Sequence, residues 1–345
     1  MATAKLTTWN IEWMNRLFDL KSSTTKLKKT PAVIETCERI AGVIKDISPD
    51  ILGIQEGPAS KARMAHFVRE YLDDGYEVYS VPSGTQSNHA LVKKGLDIEV
   101  KQLPMSHKVY TYLSRNVEFY TWSEVKKQSS KKIPRKPVVL SLNPPDKPDE
   151  KVELMIFHTK SKISDLRSKK QWENRDVEAI VDALRSRQRL SGELAAVRRY
   201  LTHAILSKRA EGCIVIGDLN EGPNRDIFEE KFLLTNIVDE LRGGFHREEA
   251  LMHHALEREW LDPDRALAYS AEFRDPTQDG KKVKTLLDHI MVSTSIRHGK
   301  APFKIRAKDG LIEHDLFEKH VKNSGNKRNE RPSDHVPVTT ILRYK

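Results

Sequence analysis

Ile214-Val215-Ile216-Gly217-Asp218-Leu219-Asn220-Glu221-Gly222-Pro223 decides how this chain is read. A β-branched apolar run stops abruptly at Asp-Leu-Asn, and Gly-Pro closes it. This is the pattern of a short strand buried inside a sheet. The polar residues fall at its carboxyl end, where α/β sheets gather their chemistry. Residues two apart on a strand point the same way, so Asp218 and Asn220 are expected to share one pocket. The plainer reading is an Asx turn that ends the strand.

Working outward, the same design recurs. Residues 6–12 read as a first strand ending in Asn10 and Glu12, and residues 51–56 as a buried strand ending in Glu56. Residues 152–158 run apolar into His158, followed by Thr159-Lys160-Ser161-Lys162. A strand over 285–292 carries Asp288-His289, and Ser333-Asp334-His335-Val336-Pro337-Val338 precedes a last strand at 339–342. His289 is expected to face away from Asp288 and to be structural. Further strands are expected at 76–81 and 137–142, with hairpin-like strands at 89–92, 98–103 and 117–122. Between these lie a Ser, Thr and Lys loop at 22–29 and a basic loop at 126–136.

Helical spacing places Val33, Ile40, Val43, Ile44 and Ile47 on one face of a helix over 32–47, with Pro31 in its first turn. A second helix is expected over 61–72. Residues 164–210 are highly charged and read as helical, with Val177, Ile180, Val181 and Leu184 on one face. Leu190, Leu194, Val197, Leu201 and Ile205 form another, with a break at Ser191-Gly192. Residues 236–260 are mixed, and His253-His254 reads as a helix surface without ligand spacing. Residues 297–332 look loop-rich. Strands dominate, helices interleave, and neither repeat nor linker interrupts them. The expectation is one α/β domain over 1–345 with a charged helical insertion at about 164–210.

A chain of 345 residues can bury a sizeable core. With 31% charged and 38% hydrophobic residues it reads as soluble, and no stretch is apolar enough to span a membrane. The first strand begins within a few residues of Met1, which leaves no room for a signal peptide. Cys37 and Cys213 are the only cysteines, so no disulfide framework is expected; both read as small buried hydrophobes, and the cytoplasm is the simplest home. No Cys/His cluster has zinc spacing. The formal net charge of +10 favours a polyanionic partner.

Trp9-Asn10, Gln55-Glu56, the run into His158, Gly217-Asp218-Leu219-Asn220, Leu287-Asp288-His289-Ile290 and Ser333-Asp334-His335-Val336-Pro337-Val338 stand in the order that marks the endonuclease/exonuclease/phosphatase superfamily. The resemblance spans nearly the whole chain. It implies a four-layered α/β sandwich, two packed mixed β-sheets flanked by helices, with the site where the sheet edges meet. It implies a divalent cation, Mg²⁺ or Mn²⁺, on Glu56 with Asn10, and Asp334 near it. His335 would contact the scissile phosphate, with Asp288 holding its ring. Asp218 would handle the attacking water or the leaving oxygen, Asn220 would fix the phosphate or Asp218, and His158 would complete the cradle. Arg135 resembles a family position facing the site, and Lys160 is a candidate substrate contact.

The residue types suit that chemistry independently of the resemblance. Mg²⁺ is hard and prefers carboxylate and amide oxygens. A histidine held by a carboxylate is a fixed donor, and a carboxylate near water can act as base. Phe157-His158-Thr159-Lys160-Ser161-Lys162 departs from the Tyr-containing segment of apurinic endonucleases and is similar to bacterial nuclease-like members. In those an Arg-bearing helix follows; Arg198-Arg199 or Arg175 are the candidates here. The expected function is a metal-dependent phosphodiesterase, a nuclease acting on DNA. The alternatives are a phosphatase or phospholipase acting on inositol phosphates or sphingomyelin, or a binding module without activity.

Overall fold

The apolar runs that end in polar residues become the central strands of two mixed β-sheets in the computed structural model, which describes residues 1–19, 25–115, 117–121 and 124–345. In the first sheet, Ala2–Asn10 lies between a parallel Ile51–Gly57 and an antiparallel Val338–Tyr344. Ser87–Lys93 and Tyr76–Ser80 continue it on one side, and Phe303–Lys304 and Leu311–Ile312 pair with Val338–Tyr344 on the other. In the second, Gly212–Asp218 lies between a parallel Val152–Ile156 and an antiparallel Asp288–Ser293. Val138–Asn143, Glu99–Gln102 and Met252–His254 complete that sheet. Strands covered on both faces read as continuous apolar runs, not alternating ones, and Val152–Ile156 and Gly212–Asp218 are buried throughout.

The two sheets pack closely at Gly53. A Cβ there would stand 2.7 Å from Ile216 Cδ1 and 3.0 Å from Ile156 Cγ1, so any larger residue would have to displace those side chains of the facing sheet. Helices Pro31–Ile47 and Lys61–Tyr71 add Ile40, Ile44, Ile47, Met64 and Phe67 to the same core. The fold is α/β, two large mixed sheets flanked by helices. Among the described residues no helix is long and apolar enough to cross a membrane.

Several expectations are corrected. The first strand stops at Asn10, and Glu12 leaves it with φ +29°. The strands near 89–92 and 98–103 belong to different sheets, because Ser87–Lys93 pairs with Ile51–Gly57 and Glu99–Gln102 with Val138–Asn143. Much of the basic loop is a strand: Glu124–Lys131 pairs with Val117–Thr121 in an isolated hairpin, whose polar sequence hides its extended backbone. Trp122, expected to end that strand, lies outside the described residues, as do Ser22, Ser23 and Thr24 of the 22–29 loop. A second polar hairpin, Ala271–Asp275 with Lys281–Thr285, was not legible at all.

The insertion is a short helix, Lys169–Glu173, and then thirty unbroken residues, Val177–Leu206. Ser191-Gly192 does not break it. A Cβ at Gly192 would overlap Val117 of the hairpin, so this glycine serves a close crossing. Val177 is exposed, while Leu190, Leu194, Val197 and Leu201 enter the main core. The first half of the helix has a small core of its own, in which Leu166, Ala179, Ala183 and Leu184 pack with Phe228 beside Trp172. His253-His254 lies on the edge strand Met252–His254, not on a helix surface, and His254 is buried.

Candidate active site

The parallel register sets Asn10 beside Gln55, so the first two strands deliver Asn10 and Glu56 to one edge. The antiparallel register sets Asp218 opposite Asp288, and His158 follows the strand parallel to that of Asp218. Gly217 makes the last step possible. Its φ is +142°, and a Cβ there would overlap the Phe157 carbonyl.

Asp218 is buried at the centre. Its Oδ2 accepts from Asn10 Nδ2 at 2.9 Å, and its Oδ1 from the Asn220 backbone N–H at 2.8 Å. His158 Nε2 stands 3.4 Å from Oδ2, and His335 Nε2 stands 4.0 Å from it. Burial pushes the Asp218 carboxyl up, His335 pulls it back, and the Asp288 charge raises it again; the result is about 7. A group so placed exchanges a proton near neutrality.

The Asx turn weighed as the plain reading is present, since Asn220 N–H caps Asp218. Asn220 has left the strand with φ +51°, and its side-chain amide donates to the Thr159 carbonyl at 3.2 Å. It therefore ties the Asp218 loop to the His158 loop, and does not stand beside Asp218 as a strand neighbour would.

His335 Nδ1 meets Asp288 Oδ2 at 2.7 Å. Burial alone would lower the imidazole, but contact with Asp288 and the charges of Asp218 and Asp334 raise it well above its ordinary range. It is an imidazolium at neutral pH, with Nε2–H turned toward Asp218. Asp288 is held in turn by Ser270, whose hydroxyl donates to Oδ2 at 2.8 Å while accepting the Leu287 and Asp288 backbone N–H groups. Ser333 Oγ donates to the Asn10 carbonyl at 2.7 Å and accepts from the His335 N–H, and Trp9 Nε1 donates to the His335 carbonyl.

His158 is the opposite case. Burial, then Arg135, then His335 hold it well below the ordinary range, so it is neutral. Arg135 Nη1 lies 3.1 Å from His158 Nε2, and a guanidinium only donates, which places the ring proton on Nδ1. Arg135 takes the Nε2 lone pair, so Asp218 Oδ2 at 3.4 Å and Glu56 Oε1 at 4.0 Å lie near this nitrogen without a ring proton between them. Arg135 also donates to the Thr159 carbonyl at 2.8 Å and to Gln86 Oε1 at 3.3 Å.

Glu56 sits at an irregularity in its strand with φ +56°. Its Oε2 accepts the Trp13 backbone N–H at 2.9 Å and Gln86 Nε2 at 2.8 Å. Among the described residues no donor meets Oε1. Asn10 Oδ1 accepts one bond, from the Glu12 N–H at 3.1 Å, and keeps a lone pair. These oxygens fit a hard divalent cation in chemistry and in their free valence. Asp334 is half-buried, and its charge raises both Glu12 and His335. Glu12 itself is engaged by Arg328 at 3.3 Å and Arg331 at 3.5 Å.

Lys160 does not turn its ammonium into this group. Nζ donates to the Ser161 carbonyl at 2.7 Å, because the loop folds back on itself. Its backbone N–H is held by Glu193 of the insertion helix at 2.8 Å. The arginines expected on a following helix are engaged elsewhere: Arg198 bonds the Leu241 and Ala250 carbonyls, Arg175 lies 5.2 Å over the Trp172 ring, and Arg199 lines a surface groove with Thr235 and Asp239. His289 is structural, donating to the Glu221 carbonyl and accepting from His254. Sequence reasoning missed Gln86 and Ser270. Gln86 lies in a polar turn and Ser270 in a mixed loop, where nothing in composition or spacing marks either.

No protein-family model matches the chain, and no curated protein matches it by sequence. Solved structures do. TDP2 from C. elegans aligns with 99% of this chain and 75% of its own at 16% identity, with a TM-score of 0.52. The human Nocturnin catalytic domain with bound sulfate aligns with 99% of this chain and 95% of its own at 14% identity and TM-score 0.52. The AP endonuclease LMAP from Leishmania major gives 99% and 88% at 14% identity and TM-score 0.54. At such identities the likeness is one of fold.

Proposed function

We propose that this chain, which has the endonuclease/exonuclease/phosphatase fold, is a metal-dependent phosphodiesterase that hydrolyses nucleic acid, DNA in the first instance. The observation that carries this reading is the His335 imidazolium, pinned by Asp288 at 2.7 Å and facing the buried Asp218 across 4.0 Å. A donor and a base fixed so close together suit an anionic centre attacked by water.

A divalent cation, Mg²⁺ or Mn²⁺, held by Glu56 with Asn10 and with Asp334 near it, would neutralise charge on the phosphoryl oxygens. The chain's own residues do the rest. His335 donates Nε2–H to a non-bridging oxygen. Asp218, held by Asn10 and the Asn220 N–H, takes the proton of the water whose oxygen bonds to phosphorus as the leaving oxygen departs. Arg135 completes the pocket wall and holds the phosphate in line, and neutral His158, accepting from Arg135, keeps the guanidinium in place. The net charge of +10 supports a polyanionic substrate, as do the basic residues at 131–136, where the first polar hairpin ends, and at 281–284 in the second.

The test is hydrolysis of plasmid DNA, linear DNA, RNA and inositol phosphates by the purified protein. Expected is metal-dependent cleavage of nucleic acid, abolished by EDTA and restored by Mg²⁺ or Mn²⁺. Full activity in EDTA, or turnover confined to inositol phosphates, overturns the reading.

A further inference from the structure

Trp13 is out of place on every ordinary criterion. It is 46% exposed, while Ile11, Met14, Leu17 and Phe18 around it are buried. Its backbone is left-handed, φ +56° and ψ +41°, a conformation that glycine or asparagine adopts cheaply and a bulky residue does not. Its indole adds little to the core. Yet its backbone N–H is fixed on Glu56 Oε2 at 2.9 Å, so the residue is anchored to the pocket while its side chain stays 46% exposed. The Arg16 guanidinium lies 4.6 Å from the ring centroid, and Lys28 donates to the Arg16 carbonyl at 2.8 Å. Arg328 and Arg331 flank the preceding residue, Glu12.

We infer that Trp13 and Arg16 form a stacking subsite for an unpaired nucleobase of a single-stranded nucleic acid whose phosphate occupies the Glu56–Asp218–His335 pocket. This rests on the nucleic-acid reading above and deepens it. An indole with a guanidinium over one face, 46% exposed and anchored to a residue of the anion pocket, offers a flat π surface on its other face and positive charge within reach of one phosphate. A nucleotide supplies the complement, a flat base joined to that phosphate. Bases inside a duplex have both faces covered by their neighbours, so the ring selects an unstacked one. The bond to Glu56 uses the backbone N–H, so it survives any substitution but proline and links the platform to the pocket without depending on the indole.

The experiment compares wild type with Trp13→Asn, which suits the same backbone. Binding of a labelled single-stranded 12-mer is read by fluorescence anisotropy in Ca²⁺, beside a strand of equal length built of abasic nucleotides and a duplex of the same sequence. Expected is a loss of affinity of about 5- to 100-fold for the base-bearing strand. No change is expected for the abasic strand, and Trp13→Phe should retain most of the affinity. Arg16→Gln, which leaves the indole in place, should weaken the base-bearing strand by a few-fold, and it carries the test if Trp13→Asn fails to fold. Equal binding by wild type and variants, an equal loss on the abasic strand, wild-type preference for the duplex, or no binding by wild type overturns the subsite. Hydrolysis separates the two readings. Cleavage of DNA with Trp13 irrelevant to binding leaves the nuclease reading and removes the subsite. Trp13-dependent binding without any cleavage does the reverse.

Discussion

Asp218 and Glu221 are three residues apart, both are buried carboxylates, and they meet opposite surroundings. Carboxylate oxygens of Glu221, Asp226 and Glu229 lie within 4.8 Å of one another, a spacing that suits a metal ion. The loop after His158 and the insertion helix fill that acidic cluster with one cation each. Lys162 bonds Glu221 and lies 3.1 Å from Asp226, and Arg187 pairs with Asp226 and stands 3.9 Å from Glu221. Around Asp218 and Glu56 the neighbours are amides, a neutral imidazole and one imidazolium, and Glu56 Oε1 meets no donor among the described residues. A buried acid needs a counter-charge. One cluster carries its own in the chain, and the other leaves room for a cation and a substrate. The contrast separates a structural ion network from a reactive one.

The largest effect should come from Asp218→Asn, with turnover falling by roughly 10²-fold or more and circular dichroism unchanged. Its stability should run the other way. The folded-state carboxyl titrates near 7, above the ordinary 3.8, so its stabilising contribution is complete below about pH 4 and is lost as pH rises through 7. At pH 8 the asparagine variant should melt no lower than wild type. A variant that melts several degrees lower would make Asp218 a structural acid like Glu221 and erase the contrast.

Arg187→Met should do the opposite, leaving the buried acids short of a cation. A loss of about 3 kcal/mol is expected, read as a lower urea midpoint. Adding Glu221→Gln should restore part of it, because the orphaned charge is removed with its partner. Strictly additive losses would show that the pair does not interact.

Asp288→Asn should reduce turnover by about tenfold, less than loss of Asp218, because Asp288 orients the ring and does not touch substrate. Its signature lies in pH. Asp288 contributes to raising His335, so the variant should lose its imidazolium, and its activity, at lower pH than wild type. An unchanged alkaline limb in kcat/KM would remove His335 as the group responsible. The smallest effect is Arg135→Lys, which loses the fork reaching His158, Thr159 and Gln86 and should raise KM by a few-fold.

These predictions lean on residues that were legible in very different degrees. Asn10, Glu56, His158, Asp218 and Asp288 stand where apolar strands begin or end, and a polar group there must be answered by a partner, which makes it visible in the sequence. His335 stood out through its Asp-His context. Asn220 was found by spacing but assigned the wrong direction, because a single left-handed residue turns the chain out of strand geometry. Ser270 and Gln86 act through loops whose paths are set by distant packing. Of the first polar hairpin the strand at 117–121 was legible and its partner was not, because Glu124–Lys131 and the second hairpin carry too few apolar residues for period-two reasoning to detect. The glycine taken for a helix break was marking a contact with residue 117, information that no local window contains.

Gly217 has a consequence for mutational tolerance. With φ +142° and the Phe157 carbonyl where a side chain would begin, position 217 accepts no second residue type without moving a strand. In a saturation survey scored for cellular abundance, substitutions at 217 should be depleted, while Asp218→Asn next to it accumulates normally. Scored for activity, both are lost. Adjacent positions in one strand would thus divide the survey into variants that never assemble the pocket and variants that assemble it and cannot use it.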